Sequence, residues 1–321
     1  MSPEQYANDA QMRFARQLDQ YGPVASYSPP NIRQSEDYCQ SLATSHYENF
    51  SVASRLIPKS LRQDFFNVYA FCRWADDLSD EVSDANRSLE LLTWWRAQLA
   101  ACFSGQPPHH PVFIALANSI QKHRFEITPF ENLIAAFEQD QRRNRYDTHQ
   151  SVQHYCQGSA NPVGRIVLKM ANADTSENCQ LSDSICTGLQ LANFCQDVAR
   201  DAAIDRIYMP SQHFLAHNVS ESMILSGQAT PELKSALAAW CDLATASLRA
   251  GLPLIDRVPT WLARDIFLFA HGGLTLLDRI AANRFDVWKT RVQVTKRQKL
   301  TLLARSLLVR PSKPSSDRPA P

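Results

Sequence analysis

Two stretches of this chain set carboxylates at helical intervals inside otherwise apolar sequence, and no other feature restricts its fold as strongly. The first runs from Tyr69 to Glu81 as YAFCRWADDLSDE. Arg73, Asp76, Asp77 and Asp80 follow Tyr69 by four, seven, eight and eleven residues, steps that return to one face of an α-helix. Phe65, Phe66, Val68, Phe71 and Trp74 surround them, so this helix is predicted to be buried on most sides. The second stretch, QLANFCQDVARD, carries Gln190, Asn193, Asp197 and Asp201 at steps of three, seven and eleven. Buried carboxylates are costly unless a cation meets them. One such pair alone reads as a solvated helix face. Two pairs, both in apolar surroundings, point to Mg²⁺ ions holding a diphosphate, because Mg²⁺ takes one or two carboxylates and completes its shell with water and phosphate oxygens. Gln190 and Asn193 can add neutral oxygens or donors.

The rest of the sequence agrees with helices throughout. Apolar residues make up 44% of the 321, glycine numbers only 9, and the apolar spacing is helical nearly everywhere, which predicts an all-α fold. The formal charge of +1 provides no field for nucleic acid, and none is expected as a partner. Eight cysteines without a Cys-x-x-Cys suit a reducing cytoplasm better than a disulfide framework. The N-terminal residues lack the basic-then-apolar pattern of a signal peptide, and no apolar window is long enough for a membrane span. A cytoplasmic location follows as an expectation.

Four segments are expected in chain order: an N-terminal arm over 1–35 with a short helix, a helical domain over 36–290, a basic amphipathic helix over 291–310 and a disordered tail over 311–321. Within the domain, the first aspartate helix should end near Ser83. His109 and His110 read as an exposed loop pair. Arg142, Arg143 and Arg145 read as a helix C-terminus complementing its dipole, ahead of a diphosphate grip; Asp140 precedes them and could face the aspartate pairs. Pro162 and Gly164 should kink a helix spanning 151–170, with Tyr155 on the same face as the kink. The loop IDRIYMP places Arg206 and Tyr208 just past the second aspartate helix, where it could close over a diphosphate. The basic helix could cover the core or rest on an anionic membrane surface.

These motifs resemble the squalene/phytoene synthase family. The family's Arg-x-x-Asp-Asp-x-x-Asp matches Arg73, Asp76, Asp77 and Asp80, and its Gln-x-x-Asn-x-x-x-Asp-x-x-x-Asp matches Gln190, Asn193, Asp197 and Asp201. The lead-in from Tyr69 to Arg73, the pair Tyr155-Cys156 and the Arg206-x-Tyr208-x-Pro210 loop match as well. The resemblance covers about His46 to Asp278. It implies an isoprenoid-synthase helical bundle with a central cavity, and Mg²⁺ held by Asp76, Asp80, Asp197 and Asp201 around a diphosphate. It further implies catalytic roles for Arg73, Tyr69, Tyr155, Asn193 and Gln190. Substrate contacts are implied for His46, Asn49, Phe50, Asp77, Asn161, Arg206 and Tyr208.

The departures matter. Where the family has His-Ser-Lys/Arg-Ser-Phe, this chain has His46-Tyr47-Glu48-Asn49-Phe50, losing a cation and gaining an acid at one phosphate subsite. The family's Val-Ala-Gly stretch is Ser159 to Gly164 here, and its Tyr-x-x-Ile-Leu-Asp is Gly273 to Asp278. HYENF and SANPVGR resemble the hopanoid-associated branch, which takes presqualene diphosphate and yields hydroxysqualene. That implies neighbours in the reaction order: a presqualene diphosphate synthase before it and a hydroxysqualene reductase after it. Asn49 and Asn161 are the candidates for placing water. Condensation of two farnesyl diphosphates to presqualene diphosphate, squalene or dehydrosqualene stays open as an alternative. So does a non-catalytic scaffold of the same fold, which the complete aspartate motifs disfavour.

Overall fold

The structure, a computed structural model, describes residues 3–45 and 56–310. His46, Asn49 and Phe50 lie outside the described residues, as does the expected tail over 311–321. Among the described residues every regular element is a helix, and one isolated bridge joins Arg145 to Ile207. The described residues pack as two compact units, divided between Arg142 and Arg143. Their boundary falls inside the expected 36–290 domain.

The first unit contains α1 (Pro3–Tyr21), α2 (Ile32–Ser45), α3 (Lys59–Asp80), α4 (Ala85–Phe103), α5 (Pro111–His123) and α6 (Thr128–Asp140). Helix α3 is its hub and packs against α2, α4, α5 and α6. It ends at Asp80 rather than near Ser83, because Asp84 caps α4 by accepting the backbone N–H of Arg87 at 2.7 Å and so claims the intervening residues as a turn. The buried face of α3 puts Phe71 and Trp74 into an aromatic core. Trp74 stacks on Trp95 with centroids 5.3 Å apart, and Phe71 meets Phe130 edge-on at 5.3 Å. Burying such rings stabilises by about 1.5–3 kcal/mol each. A polar clamp fixes how α3 is turned: Asp64 accepts from Ser119 at 2.8 Å and Lys122 at 2.6 Å, and Asn67 donates to the Ala115 carbonyl at 3.1 Å. The rotation that buries Phe71 and Trp74 leaves the Tyr69, Arg73, Asp76, Asp80 edge less covered.

His110 departs from its expected exposure. It is buried, caps α5 by accepting from the Val112 N–H at 3.2 Å, and lies edge-on to Trp74 at 4.5 Å and to Trp95 at 4.9 Å. Burial pushes its pKa down to about 3, so it is a neutral cap inside an aromatic box. His109 is exposed, as expected.

The second unit contains α7 (His149–Ser159), α8 (Asn161–Met170), α9 (Ser176–Ala203), α10 (Ser211–Ala216), α11 (Glu221–Leu225), α12 (Pro231–Gly251), a 3₁₀ turn (Leu252–Asp256), α13 (Thr260–Ala282) and α14 (Lys296–Leu307). Helix α9 forms its axis and lies along α12. Two glycines permit that approach. A Cβ on Gly188 would sit 2.7 Å from Leu248 Cγ, and one on Gly251 would sit 2.7 Å from the Leu181 carbonyl oxygen. The 151–170 stretch forms two helices, not one kinked helix. Pro162 falls in the first turn of α8, where its missing N–H costs nothing. The basic helix is also shorter than expected. Thr295 and Gln298 form a capping box that starts α14 at Lys296, and residues 286–295 cross the unit as an irregular strap. No described helix is long and apolar enough to cross a membrane.

Candidate active site

Each unit carries one half of the aspartate pattern. On α3, Asp77 is buried and Arg73 grips it through Nη2, while Arg73 Nη1 donates to Asp76 Oδ2 at 3.2 Å. Asp80 is exposed, Tyr69 is half-buried, and Glu81 caps the helix 4.0 Å from Arg73. The i,i+3 and i,i+4 spacing is what lets one guanidinium span both carboxylates. Asp76 keeps 39% of its side-chain area open, yet the crowded protein wall around it and the repulsion of Asp80 raise its pKa to about 7 against the pull of Arg73. Asp77 is raised to about 6, again by desolvation, with Arg73 opposing. For Arg73, burial pulls downward, and Asp77 and Asp76 outweigh it and raise the pKa. Asp140 lies half-buried in the last turn of α6.

On α9, Gln190, Asp197 and Asp201 are half-buried and Asn193 is exposed. Desolvation and the repulsion of Asp197 raise Asp201 to about 7, against Arg206, Arg200 and Arg291. Past the helix, Asp205 takes a left-handed backbone turn at φ 58°. The Arg206 N–H then returns to the Asp201 carbonyl at 2.8 Å. Arg145 clamps this turn through Asp205, with Nη2 2.5 Å from Oδ1, and reaches Glu221 at 2.9 Å. Arg143 lies over the Tyr146 ring at 4.7 Å. Arg145 therefore braces the loop after α9, whereas Arg142 stays in the turn that ends α6, its N–H on the Gln139 carbonyl at 2.9 Å. The braced loop lays Tyr208 flat on Phe194 at 3.9 Å, with Tyr155 5.6 Å from Tyr208. Phe194, Val198, Asp201, Arg206 and Tyr208 line one cleft. Asn161 is buried, and its Oδ1 accepts from Thr187 at 3.0 Å.

Sequence reasoning missed Arg291. It reads there as one cation of a basic helix, but it lies on the strap and binds Asp197 in a bidentate fork, Nε to Oδ1 at 2.5 Å and Nη2 to Oδ2 at 2.8 Å. Gln196 secures the arrangement. Its Nε2 donates to the Val292 carbonyl at 2.6 Å and its Oε1 accepts from Arg291 at 3.0 Å. Gln196 sits one residue off the aspartate stripe, so spacing alone does not select it.

Among the described residues no group of three or more His, Cys, Asp or Glu comes together so as to hold a metal ion. Each helix instead offers a pair of carboxylates that repel one another and border an arginine. Such pairs fit Mg²⁺ filling its remaining positions with water and phosphate oxygens. Zn²⁺, which prefers a closed set of nitrogen and sulfur ligands, fits them poorly.

The pattern of the squalene/phytoene synthase family matches residues 43–298. The chain is 28% identical over 296 residues to a phytoene synthase of Arthrospira platensis, covering 86% of this chain and 93% of that protein. It is 25% identical over 264 residues to a presqualene diphosphate synthase of Rhodopseudomonas palustris, covering 81% and 93%. Its fold is similar to the crystal structure of squalene synthase HpnC from Alicyclobacillus acidocaldarius, with a TM-score of 0.76, 37% identity, and coverage of 79% of this chain and 96% of the other. A dehydrosqualene synthase shares the fold at a TM-score of 0.78 and 21% identity, over 86% of this chain and 96% of its own. The helices are those of a squalene-synthase-type isoprenoid synthase, and the matched span takes in both aspartate helices: the chain belongs to the squalene/phytoene synthase family.

Proposed function

We propose that this protein converts presqualene diphosphate and water into hydroxysqualene and diphosphate. The observation that carries the reading is the likeness to squalene synthase HpnC at 37% identity over 96% of that chain. It is joined to a sequence departure: Glu48 stands where the wider family has a cation in a phosphate subsite. An acid there disfavours a second diphosphate, and presqualene diphosphate brings only one.

Asp76 and Asp80 on α3, with Asp197 and Asp201 on α9, would hold Mg²⁺. The bound ion would neutralise the diphosphate and make it a better leaving group. The protein's own part is electrostatic and steric. Arg73 and Arg206 offset the charge growing on the departing oxygens. The carbon–oxygen bond breaks with its electron pair going to diphosphate, leaving a cyclopropylcarbinyl cation. Aromatic faces at Tyr69 and Tyr155 would steady that cation by about 2 kcal/mol or less per ring. After rearrangement a water oxygen bonds to carbon and its surplus proton leaves to solvent or diphosphate, so no reductant is consumed. Substrate and product are both lipids, which calls for a supply route through a membrane or a partner enzyme.

The test is product analysis with purified protein and Mg²⁺, without NADPH. Hydroxysqualene from presqualene diphosphate, with farnesyl diphosphate left unchanged, supports the reading. Turnover of farnesyl diphosphate replaces it with the condensing reaction. Silence with both substrates leaves the scaffold role.

A further inference from the structure

Helix α14 is seated by one stripe and carries a second apolar stripe it does not need for seating. Leu302 and Ser306 are buried against α13. The Leu307 carbonyl accepts from Arg264 at 3.2 Å, and Arg305 lies 5.8 Å from the Phe267 ring. At 3.6 residues per turn, Leu300, Leu303, Ala304 and Leu307 share an arc of roughly 100° on the side opposite Leu302. Leu308 extends that arc. Leu300 is 66% exposed, Leu307 49% and Leu308 78%. Isolated exposed leucines are ordinary, but a continuous leucine stripe on a single helix marks a contact surface.

Charge indicates what the surface meets. Residues 287–310 contain seven Lys and Arg and no Asp or Glu, while the whole chain has a net charge of only +1. Lys296 and Arg297 are exposed at the start of the helix and Arg310 just past its end, bracketing the leucines. A protein partner with an apolar groove would account for the leucines but not for the absence of acids. An anionic bilayer accounts for both: headgroups pair with the cations while the leucines enter the acyl boundary. The helix has 12 residues, too few to cross a bilayer and enough to lie in its surface.

We infer that the outward face of α14 docks on an anionic phospholipid surface, with Leu300, Leu303, Leu307 and Leu308 inserted and Lys296, Arg297 and Arg310 at the headgroups. The contact stands on α14 alone; the proposed reaction supplies its use, since a lipid substrate would arrive from that surface.

The test is sedimentation of the full chain with vesicles of phosphatidylcholine alone and of phosphatidylcholine mixed with phosphatidylglycerol, with no prenyl diphosphate present. Failure here is therefore distinct from failure of the proposed reaction. Binding is expected to the mixed vesicles and to be lost in high salt. Replacing Lys296, Arg297 and Arg310 by Ala should weaken it about a hundred-fold, from about five-fold per cation. Leu300→Ser with Leu307→Ser and Leu308→Ser should abolish it while leaving the melting temperature and circular dichroism unchanged. No pelleting of the unmodified chain with mixed vesicles overturns the inference. So does pelleting that survives the leucine changes. Concentration-dependent dimers in vesicle-free buffer that the leucine changes dissolve would reassign the face to a second copy of the chain.

Discussion

Arg291 occupies the carboxylate of Asp197 with two parallel hydrogen bonds, 2.5 and 2.8 Å long, although the two residues lie 94 positions apart. The guanidinium stands where the proposed reaction needs a metal. A fork of this kind is a charge-assisted pair, discounted here because Arg291 is 45% exposed.

The first prediction follows from that competition. Arg291→Gln should bind Mg²⁺ alone more tightly, by about five-fold for a residual ~1 kcal/mol, and should bind diphosphate more weakly for want of a cation. Titration calorimetry with each ligand separately reads both effects. Unchanged or weaker Mg²⁺ binding would mean that Arg291 does not compete for Asp197.

The aspartates set a pH dependence. Asp76 and Asp201 are raised to about 7 and Asp77 to about 6, all above the unfolded value of about 3.9. The folded chain then binds more protons than the unfolded chain between those values, so metal-free stability is fully present below about pH 4 and is lost as pH rises from there to 6–7. Under the proposed function Mg²⁺ affinity should run the opposite way, because carboxylate ligands must be deprotonated. Asp76→Asn should raise the metal-free melting temperature at about pH 8 while cutting kcat by about a hundred-fold or more. A variant that melts lower and remains active would contradict both halves of this argument.

Asp265 offers a control away from the aspartate motifs. It is buried on α13, its Oδ1 has no hydrogen-bond partner, and desolvation raises its pKa to about 7. Its folded pKa lies above the unfolded one, so stability is lost as pH rises from about 4 to about 7. Asp265→Asn should raise the melting temperature at about pH 8 and leave it nearly unchanged at about pH 3, where the carboxyl is protonated in the folded and unfolded chain alike. An equal shift at both values would show that packing, not ionisation, is responsible.

Much of the architecture is legible in the sequence, because helical spacing and proline positions are local signals. Pro111, Pro129 and Pro231 each fall in the first turn of a helix. The aspartate stripes are legible for the same reason. Long-range contacts are not. His110 looks like loop punctuation until rings from α3 and α4 box it in. Arg145 looks like a helix end until Asp205 meets it. Arg291 looks like part of an amphipathic helix until Asp197, 94 positions away, meets it. In each case the deciding partner is distant in sequence, and periodicity carries no information about it.

The α9–α12 contact gives a stability prediction with a steric cause. Gly251→Ala would drive a methyl group into Ile185 and to 2.7 Å from the Leu181 carbonyl. Parting the two helices should cost about 1–3 kcal/mol, read as a lower denaturation midpoint with an unchanged slope. No loss would show that α12 shifts freely along α9.

Labelled water reports on the capture step itself. Presqualene diphosphate is incubated with the protein and Mg²⁺ in H₂¹⁸O, and the product mass is read. Hydroxysqualene carrying one ¹⁸O atom, formed without NADPH, is the expected product. An oxygen-free hydrocarbon, or an alcohol that retains the oxygen of the substrate, would contradict water capture.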